Sequence, residues 1–254
     1  MIKRFFVLLI TLSIFGSILY GQAELNPEAA QLYNDGNKLV KSGQYQVALE
    51  KYNAASAIQN DYRIEYQKGI VFKKLRKLDD AVQAFSKAIE LKADFGIAYN
   101  ALGGANYTTG KYQDAIDAFM KFKEFATKDA HKKKADVNIA RAYTKLGEAA
   151  KSNGNFTTAE NNFREAIKFD NYDAAYLLLA ETLVDLGKYS EVLEAADKAA
   201  NYRKSIPKGA PSYYKGMAFL NLGDLAKAKE SFNEGKKDSK YKSLCEYQLK
   251  NSFN

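Results

Sequence analysis

The sequence repeats itself with a period of about 34 residues. A small residue recurs at six positions, which are separated by 33, 34, 44, 33 and 36 residues, and a second small or short residue follows each of them twelve positions later. The first series is Gly36, Gly69, Gly103, Gly147, Ala180 and Gly216, and the second is Ala48, Ala81, Ala115, Ala159, Val192 and Ala228. A fixed period of this length indicates a stack of helix-turn-helix units and argues against one globular core.

Each unit combines these small residues with large apolar residues at helical spacing. In the first unit Leu32 and Leu39 flank Gly36, and an aromatic residue, Tyr52, follows Ala48 by four positions, as it does in most units. Small residues are needed where two helix backbones approach closely, and large side chains fill the space beside them. The glycine of turns such as 43–45 lies just past the first helix, where a left-handed residue ends a helix at little cost.

The six units resemble the tetratricopeptide repeat (TPR) family over roughly residues 29–242, and the family has the same 34-residue period. The resemblance implies an all-α fold, a right-handed superhelical solenoid of about six helix-turn-helix repeats with a C-terminal capping helix. Three departures bear on local helix ends and packing. Arg76 replaces a turn glycine in the second unit, Phe122 replaces a small residue in the third, and Ala196 replaces the aromatic in the fifth.

The chain divides into five predicted segments. Residues 1–23 form a leader, 24–128 hold the first three repeats, 129–139 form a basic insertion that extends the next helix, 140–242 hold three more repeats, and 243–254 form a capping helix or tail. At the insertion the period stretches by ten residues, which lengthens a helix by about 15 Å. A second break, 205–211, predicts a loop before the sixth unit.

The leader has the layout of a bacterial secretory signal peptide. Lys3 and Arg4 precede an apolar run over residues 5–20, and residues 21–23 offer a small-x-small cleavage site. We therefore predict cleavage within 21–23 and a periplasmic or secreted mature protein with no transmembrane segment. The alternative is an uncleaved inner-membrane anchor, because the run is near the lower length limit for spanning a bilayer.

Candidate catalytic and metal-binding residues are few. His131 is the only histidine and Cys245 the only cysteine, so the chain cannot assemble a histidine-based metal cluster, a Ser/His/Asp set, a zinc-thiolate site or an internal disulfide. Asp79 and Asp80 lie at the start of a second helix, where they favour the helix dipole. The sequence thus predicts a protein that is not an enzyme and has no cofactor or metal. The remaining alternative is catalysis by carboxylates alone.

The chain is basic, with 38 Lys and Arg against 30 Asp and Glu and a net charge of +8. Removal of Lys3 and Arg4 with the leader would leave 36 basic residues against 30 acidic ones, a net charge of +6. The charges are scattered, which is typical of solvated helix faces. The insertion is the exception, because it contains a basic patch that either lies within an early-starting helix or meets an acidic partner: His131, Lys132, Lys133 and Lys134.

The family resemblance also implies a concave groove lined by the first helix of each repeat. Carried over by position, the candidate partner-binding residues are Tyr33, Asn37, Lys41, Arg63, Tyr66, Lys74, Asn100 and Tyr107. Rings supply contact area at low entropic cost, while Asn, Arg and Lys can bind the backbone or carboxylates of a peptide. The family's chaperone-binding clamp needs a lysine where Tyr33 stands, so that role does not carry over, although Asn37 fits it.

Taken together, these features predict an exported scaffold that binds a protein or peptide in its concave groove, within a cell-envelope assembly. A rigid array would present the groove already formed, so that the partner bears most of the ordering cost. One alternative is a structural adaptor that uses its convex face or its end repeats. Another is a binder of an anionic envelope polymer. Nucleic acid is not expected as a partner, because the charge is scattered and the leader predicts export.

Overall fold

The computed structural model describes residues 24–253, so the predicted leader and its cleavage site lie outside the described residues. Over this range the chain forms thirteen α-helices and no β-strand. The helices are α1 (Pro27–Lys41), α2 (Tyr45–Ile58), α3 (Tyr62–Lys74), α4 (Leu78–Leu91), α5 (Gly96–Thr108), α6 (Tyr112–Phe125), α7 (Asp129–Ser152), α8 (Phe156–Phe169), α9 (Asp173–Asp185), α10 (Tyr189–Asn201), α11 (Ala210–Asn221), α12 (Leu225–Gly235) and α13 (Lys242–Asn251).

Twelve of these helices form six consecutive pairs, and α13 packs on α12 at the end of the array. Each second helix also packs on the first helix of the next pair. First helices of neighbouring pairs touch, as α3 does with α5 and α9 with α11, whereas the second helices do not approach one another comparably. A stack bends toward its closer-packed row, so the first helices line the concave face. The predicted all-α solenoid of six helix pairs with a C-terminal cap is confirmed.

In five of the six units, the recurring glycine of the first helix packs against an aromatic ring of the second helix. A Cβ atom built on Gly147 would lie 2.4 Å from Cε1 of Phe163, a separation that real Cβ atoms essentially never show. Only a residue without a side chain allows the two helices to approach this closely. The same contact, each time with a buried ring, pairs Gly36 with Tyr52, Gly69 with Phe85, Gly103 with Phe119, and Gly216 with Phe232.

The fifth unit makes this contact with two alanines. Ala180 stands where the other units have glycine, and Ala196 stands where they have the ring. Both are fully buried in one apolar cluster with Leu179 and Leu183. The methyl group of Ala180 fits because no ring lies opposite it. The loss of the ring at Ala196 is therefore compensated by the larger residue at Ala180, and the helix pair remains intact.

The turn inside each unit depends on one residue with a left-handed backbone. In five units this residue is a glycine with φ between 70° and 82°, and in the second unit it is Arg76 with φ of 60°. The turn at Arg76 keeps the usual hydrogen bonds, since the N–H of Lys77 donates to the carbonyl of Phe72 at 2.9 Å. A side chain in this conformation costs about 1–2 kcal/mol. The second unit therefore keeps the geometry of the turn, with backbone strain at Arg76.

Helix α7 is the longest helix described, with 24 residues, because it contains the ten extra residues of the insertion. Its first half packs along α6, where the ring of His131 lies 5.7 Å from that of Phe122 and Ile139 joins the cluster around Phe119. Its second half pairs with α8 through Gly147. The bulky Phe122 thus has a partner in the insertion, and α7 belongs to two units at once.

The loop between α10 and α11 is ordered by a single buried carboxylate. Asp173 accepts hydrogen bonds from the backbone N–H groups of Lys204, Ser205 and Ile206 at 2.6, 2.6 and 3.2 Å, and from the hydroxyl of Ser205 at 2.9 Å. Burial opposes ionisation of Asp173, but these hydrogen bonds outweigh it and hold its pKa below the ordinary value. The predicted break is therefore a loop fixed to α9, but it ends before α11 begins at Ala210, so the last two residues of the predicted range 205–211 are helical.

Helix α13 covers the apolar end of the last repeat. Cys245 is fully buried there, in a cluster with Ala228 and Phe232. Burial raises the pKa of the Cys245 thiol to about 11, so at neutral pH the thiol stays protonated and packs as a small hydrophobe.

Because Gly147 contacts the ring of Phe163, the effect on stability of adding a methyl group at Gly147 should depend on whether that ring is present. We expect Gly147→Ala to lower the free energy of unfolding by about 1–3 kcal/mol, because the buried ring cannot move away from the new Cβ. In a Phe163→Ala background the same change should instead stabilise the protein by up to about 1 kcal/mol, through the higher helix propensity of alanine. Urea unfolding followed by circular dichroism measures both, and an equal loss in the two backgrounds would refute the contact.

The strain at Arg76 predicts a stabilising substitution. Arg76→Gly should raise the free energy of unfolding by about 0.5–1 kcal/mol, because relief of the left-handed strain exceeds the added entropy of the unfolded chain. Arg76→Ala is the matched control, since it removes the same exposed side chain but keeps the Cβ atom. A gain from alanine as large as that from glycine would show that the backbone conformation is not the cause.

Candidate binding groove

A cavity of about 310 Å³ opens on the concave face where α3, α5 and α7 meet. The first helices α5 and α7 border the cavity from opposite sides and hardly approach each other. The first helices of the adjacent units are closer, since α3 touches α5 and α7 touches α9. The separation follows from the register of α7, whose first half lies along α6. The lining residues are Tyr66, Ile70, Lys73, Asn100, Ala101, Gly104, Tyr107, Phe119, Lys134, Asn138 and Arg141.

The apolar part of the lining is rigid. The ring of Tyr66 packs edge-on against Phe95 at 5.3 Å and tilted against Phe85 at 5.7 Å, and Tyr107 packs edge-on against Tyr112 at 5.5 Å. Burial raises the pKa of both Tyr66 and Tyr107 above the ordinary value. At neutral pH both hydroxyls therefore keep their protons and can donate hydrogen bonds to a ligand.

The charged part of the lining has one sign. Lys73, Lys134 and Arg141 contribute three cations, and no acidic residue is among the described lining residues. Within residues 24–253 none of the three forms an ion pair with a carboxylate. The ammonium group of Lys73 lies across α5, 3.8 Å from the position of a Cβ built on Gly104. A concave wall with several cations and no counter-charge produces a positive potential that attracts anions.

Two amide side chains complete the pocket. The Oδ1 atom of Asn100 is buried and has no hydrogen-bond partner among the described residues. Asn138 lies on α7, one helical turn from Lys134 and close to Arg141, so the three share one face of that helix. Amides donate and accept at once, which suits them to pairing with a peptide backbone.

The structure brings four of the twelve residues singled out in the sequence into this pocket. Tyr66, Asn100 and Tyr107 come from the predicted groove, and Lys134 comes from the predicted basic patch. The predicted groove and the predicted basic patch therefore meet on one surface, although they are separate features of the sequence.

Three other groove candidates are engaged inside their own units. The ring of Tyr33 packs against Tyr52 at 6.0 Å, and the hydroxyl of Tyr52 donates to Asn37 at 2.8 Å. Arg63 forms an ion pair with Asp61 at 2.8 Å, next to the N-terminus of α3. These side chains make contacts within the first unit and within the second unit, and they do not line the cavity.

The remaining candidates lie outside the cavity as well. Lys41 and Lys74 are exposed at the C-terminal ends of α1 and α3, where a cation favours the helix dipole. Lys132 and Lys133 are exposed on α7, and His131 packs on α6 as described. The predicted basic patch is thus divided, with only Lys134 directed to the concave face.

Sequence reasoning missed Ile70, Lys73, Asn138 and Arg141. Lys73 was missed by one position, which matters because neighbouring residues on a helix point about 100° apart. Asn138 and Arg141 follow Lys134 by four and seven positions. That spacing is the signal for one helix face and could have extended the basic patch along α7.

Within the described part of the chain, no group of three or more His, Cys, Asp or Glu side chains is arranged to hold a metal ion. None of the helices between residues 24 and 253 combines the length and apolar character needed to cross a bilayer.

Two family models, each described as tetratricopeptide repeat, match the chain, one over residues 66–130 and the other over residues 140–173 and 212–237. The chain is also similar to small glutamine-rich tetratricopeptide repeat-containing protein 2 of Mycosarcoma maydis. The two are 28% identical over 140 residues, which cover 55% of this chain and 39% of that protein. The chain therefore spans less than half the length of this relative.

Solved structures share the architecture. The fold is similar to that of YrrB, a TPR protein with an unusual peptide-binding site, with a TM-score of 0.51 and 16% identity over 78% of this chain and 96% of that one. It is similar to that of MamA, with a TM-score of 0.50 and 23% identity over 69% and 91% of the two chains. These solved structures share the fold, and the repeated helix pairs together with the two matching family models show that the chain belongs to the tetratricopeptide repeat family.

Proposed function

We propose that the protein is an exported scaffold that binds a protein or peptide partner in its concave groove, as part of a cell-envelope assembly. The observation that carries the proposal is the preformed cavity between α3, α5 and α7, which combines fixed rings, amides and cations. Such a lining is suited to recognition of an extended segment, because rings provide contact area while amides pair with its backbone. Membership of a family of repeat scaffolds favours the same role.

The adaptor role is a second candidate, supported by the end of the array. Leu225, Leu244 and Tyr247 of α12 and α13 are large apolar residues that are exposed, and Tyr247 reaches 65% exposure. Exposed apolar side chains on the last two helices are available for docking of another protein. In this role the end units would carry the contact and the groove would stay empty.

Site-specific photo-crosslinking in the native host distinguishes these roles. The crosslinking amino acid p-benzoylphenylalanine is placed at Tyr107 in the groove, at the exposed Met120 of a second helix, or at Tyr247 at the end. We expect a discrete protein adduct from Tyr107 and none from Met120. Adducts from Tyr247 alone would favour the adaptor, and the absence of any adduct from Tyr107 would refute groove binding.

Export is proposed on the leader alone and has its own test. Mass spectrometry of the protein recovered from the native host should find a mature N-terminus within residues 22–24, in the periplasmic or secreted fraction. An intact leader in the inner-membrane fraction would identify the anchored form. An intact leader in the cytosolic fraction would refute export and leave the groove proposal standing.

A further inference from the structure

We propose that the convex face carries a second docking site, where a helix of a protein partner inserts one large apolar side chain between α8 and α10. The site is a cavity of about 130 Å³, and it faces away from the groove because α8 and α10 are both second helices. Its lining residues are Arg164, Ile167, Tyr176, Leu179, Leu183, Glu191, Glu194, Ala195 and Lys198. The inference goes beyond groove binding and does not depend on it.

The floor of this convex cavity is apolar, and its volume suits a single side chain. Leu179 and Leu183 of α9 and Ala195 of α10 are buried there, and Ile167 of α8 is half-buried beside them. An apolar cavity of about 150 Å³ holds one benzene molecule, whereas pockets for drug-sized ligands start at about 300 Å³. The convex cavity therefore fits the end of one leucine, methionine or phenylalanine side chain.

The walls of the convex cavity are fixed before any partner arrives. Arg164 of α8 pairs with Glu191 of α10 and, at 3.0 Å, with the buried Glu160, so these ion pairs join the two second helices. On the α9 side, the ring of Tyr176 stacks on Tyr202 with 5.7 Å between the ring centroids. A preformed cavity reduces the ordering cost that binding has to overcome.

Two charges at the rim of the convex cavity have no partner. Helix α10 carries four charged residues, and two of them are paired with other helices, Glu191 with α8 and Asp197 with α11. The other two, Glu194 and Lys198, form no ion pair with a described residue, and both line the cavity. They lie four residues apart on one face of α10, so opposite charges flank the same opening.

These two unpaired charges indicate the chemistry of the partner. A helix antiparallel to α10 would meet Lys198 first and Glu194 one turn later. A glutamate followed four residues later by a lysine would therefore pair with both, and this spacing also stabilises the partner helix itself. An apolar side chain on the adjoining face of that helix would enter the cavity.

A second copy of this chain, related by a two-fold axis at α10, does not fit this description. Neither α8 nor α10 has a large apolar residue among the exposed ones in the described range, so such a dimer would leave the cavity empty. The expected occupant is thus a different protein, which presents an amphipathic helix with one apolar anchor beside a glutamate–lysine pair.

Methyl NMR can detect weak binding at this cavity. The probe is an alanine-based helical peptide with a glutamate, a lysine four residues later and one leucine on the adjoining face. We expect it to shift the methyl resonances of Ile167, Leu179, Leu183 and Ala195, with a Kd of about 1 mM or tighter. A peptide with the glutamate and lysine exchanged should bind at least about threefold more weakly. A peptide with alanine in place of the leucine should cause no shift at these methyl groups.

Two matched variants test whether the cavity itself is the site. Ala195→Leu fills the cavity without a change in charge and should abolish the shifts, whereas Ala200→Leu adds the same side chain at an exposed position of α10 and should leave binding unchanged. Exchange of the rim charges, Glu194→Lys with Lys198→Glu, should reverse the preference between the two leucine peptides. Circular dichroism verifies that each variant is folded.

Three results would overturn the convex site: no shift of the cavity methyl groups in the unmodified protein, equal binding of the two leucine peptides, or full binding by Ala195→Leu. None of them bears on groove binding, because crosslinking from Tyr107 reports on the opposite face of the array. If Ala195→Leu fails to fold, the reversal of preference in the charge-exchange variant decides the question.

Discussion

Close contact between a helix backbone and a buried ring determines the geometry of this array. In five of the six units the first helix presents a glycine to the ring of its second helix, at a distance that leaves no space for a Cβ atom. Because the contact recurs in five units and an equivalent alanine pair occupies the remaining one, all helix pairs have similar separations. Stacking similar pairs produces a continuous curve, and the curve creates the concave face on which Tyr66 and Tyr107 are held.

The fold could be predicted because its main contacts lie within one repeat. The spacing of glycine, alanine and ring reports a local interaction, so the period identifies both helices of each pair and the turn between them. The pattern could not resolve the three exceptions. Ala196 is explained by Ala180 and Phe122 by His131, and each is a spatial pair that position-by-position comparison treats as two defects. Arg76 shows that a turn can retain its geometry while losing its preferred residue.

The cavity was less predictable, since it depends on three units at once. Carrying positions over from the family assumes that every first helix packs on its neighbours in the same register. Helix α7 breaks this assumption, because its added residues pack along α6. Tyr66, Asn100 and Tyr107 were still identified, because they precede the change of register. Lys73, Asn138 and Arg141 were not, since one position on a helix turns a side chain about 100° and the opening beside α5 is a long-range effect.

The double membership of α7 has a mechanical consequence. In an array of separate pairs, a pulling force on the two ends can open the weakest junction without unwinding any helix. Here the junction between the third and fourth units is bridged by one uninterrupted helix whose halves are anchored on α6 and on α8. Tension across the middle of the molecule must therefore break helical hydrogen bonds or strip a whole helix face. The long helix therefore reinforces the junction where the repeat spacing is irregular, and rupture under tension would start at another junction of the array.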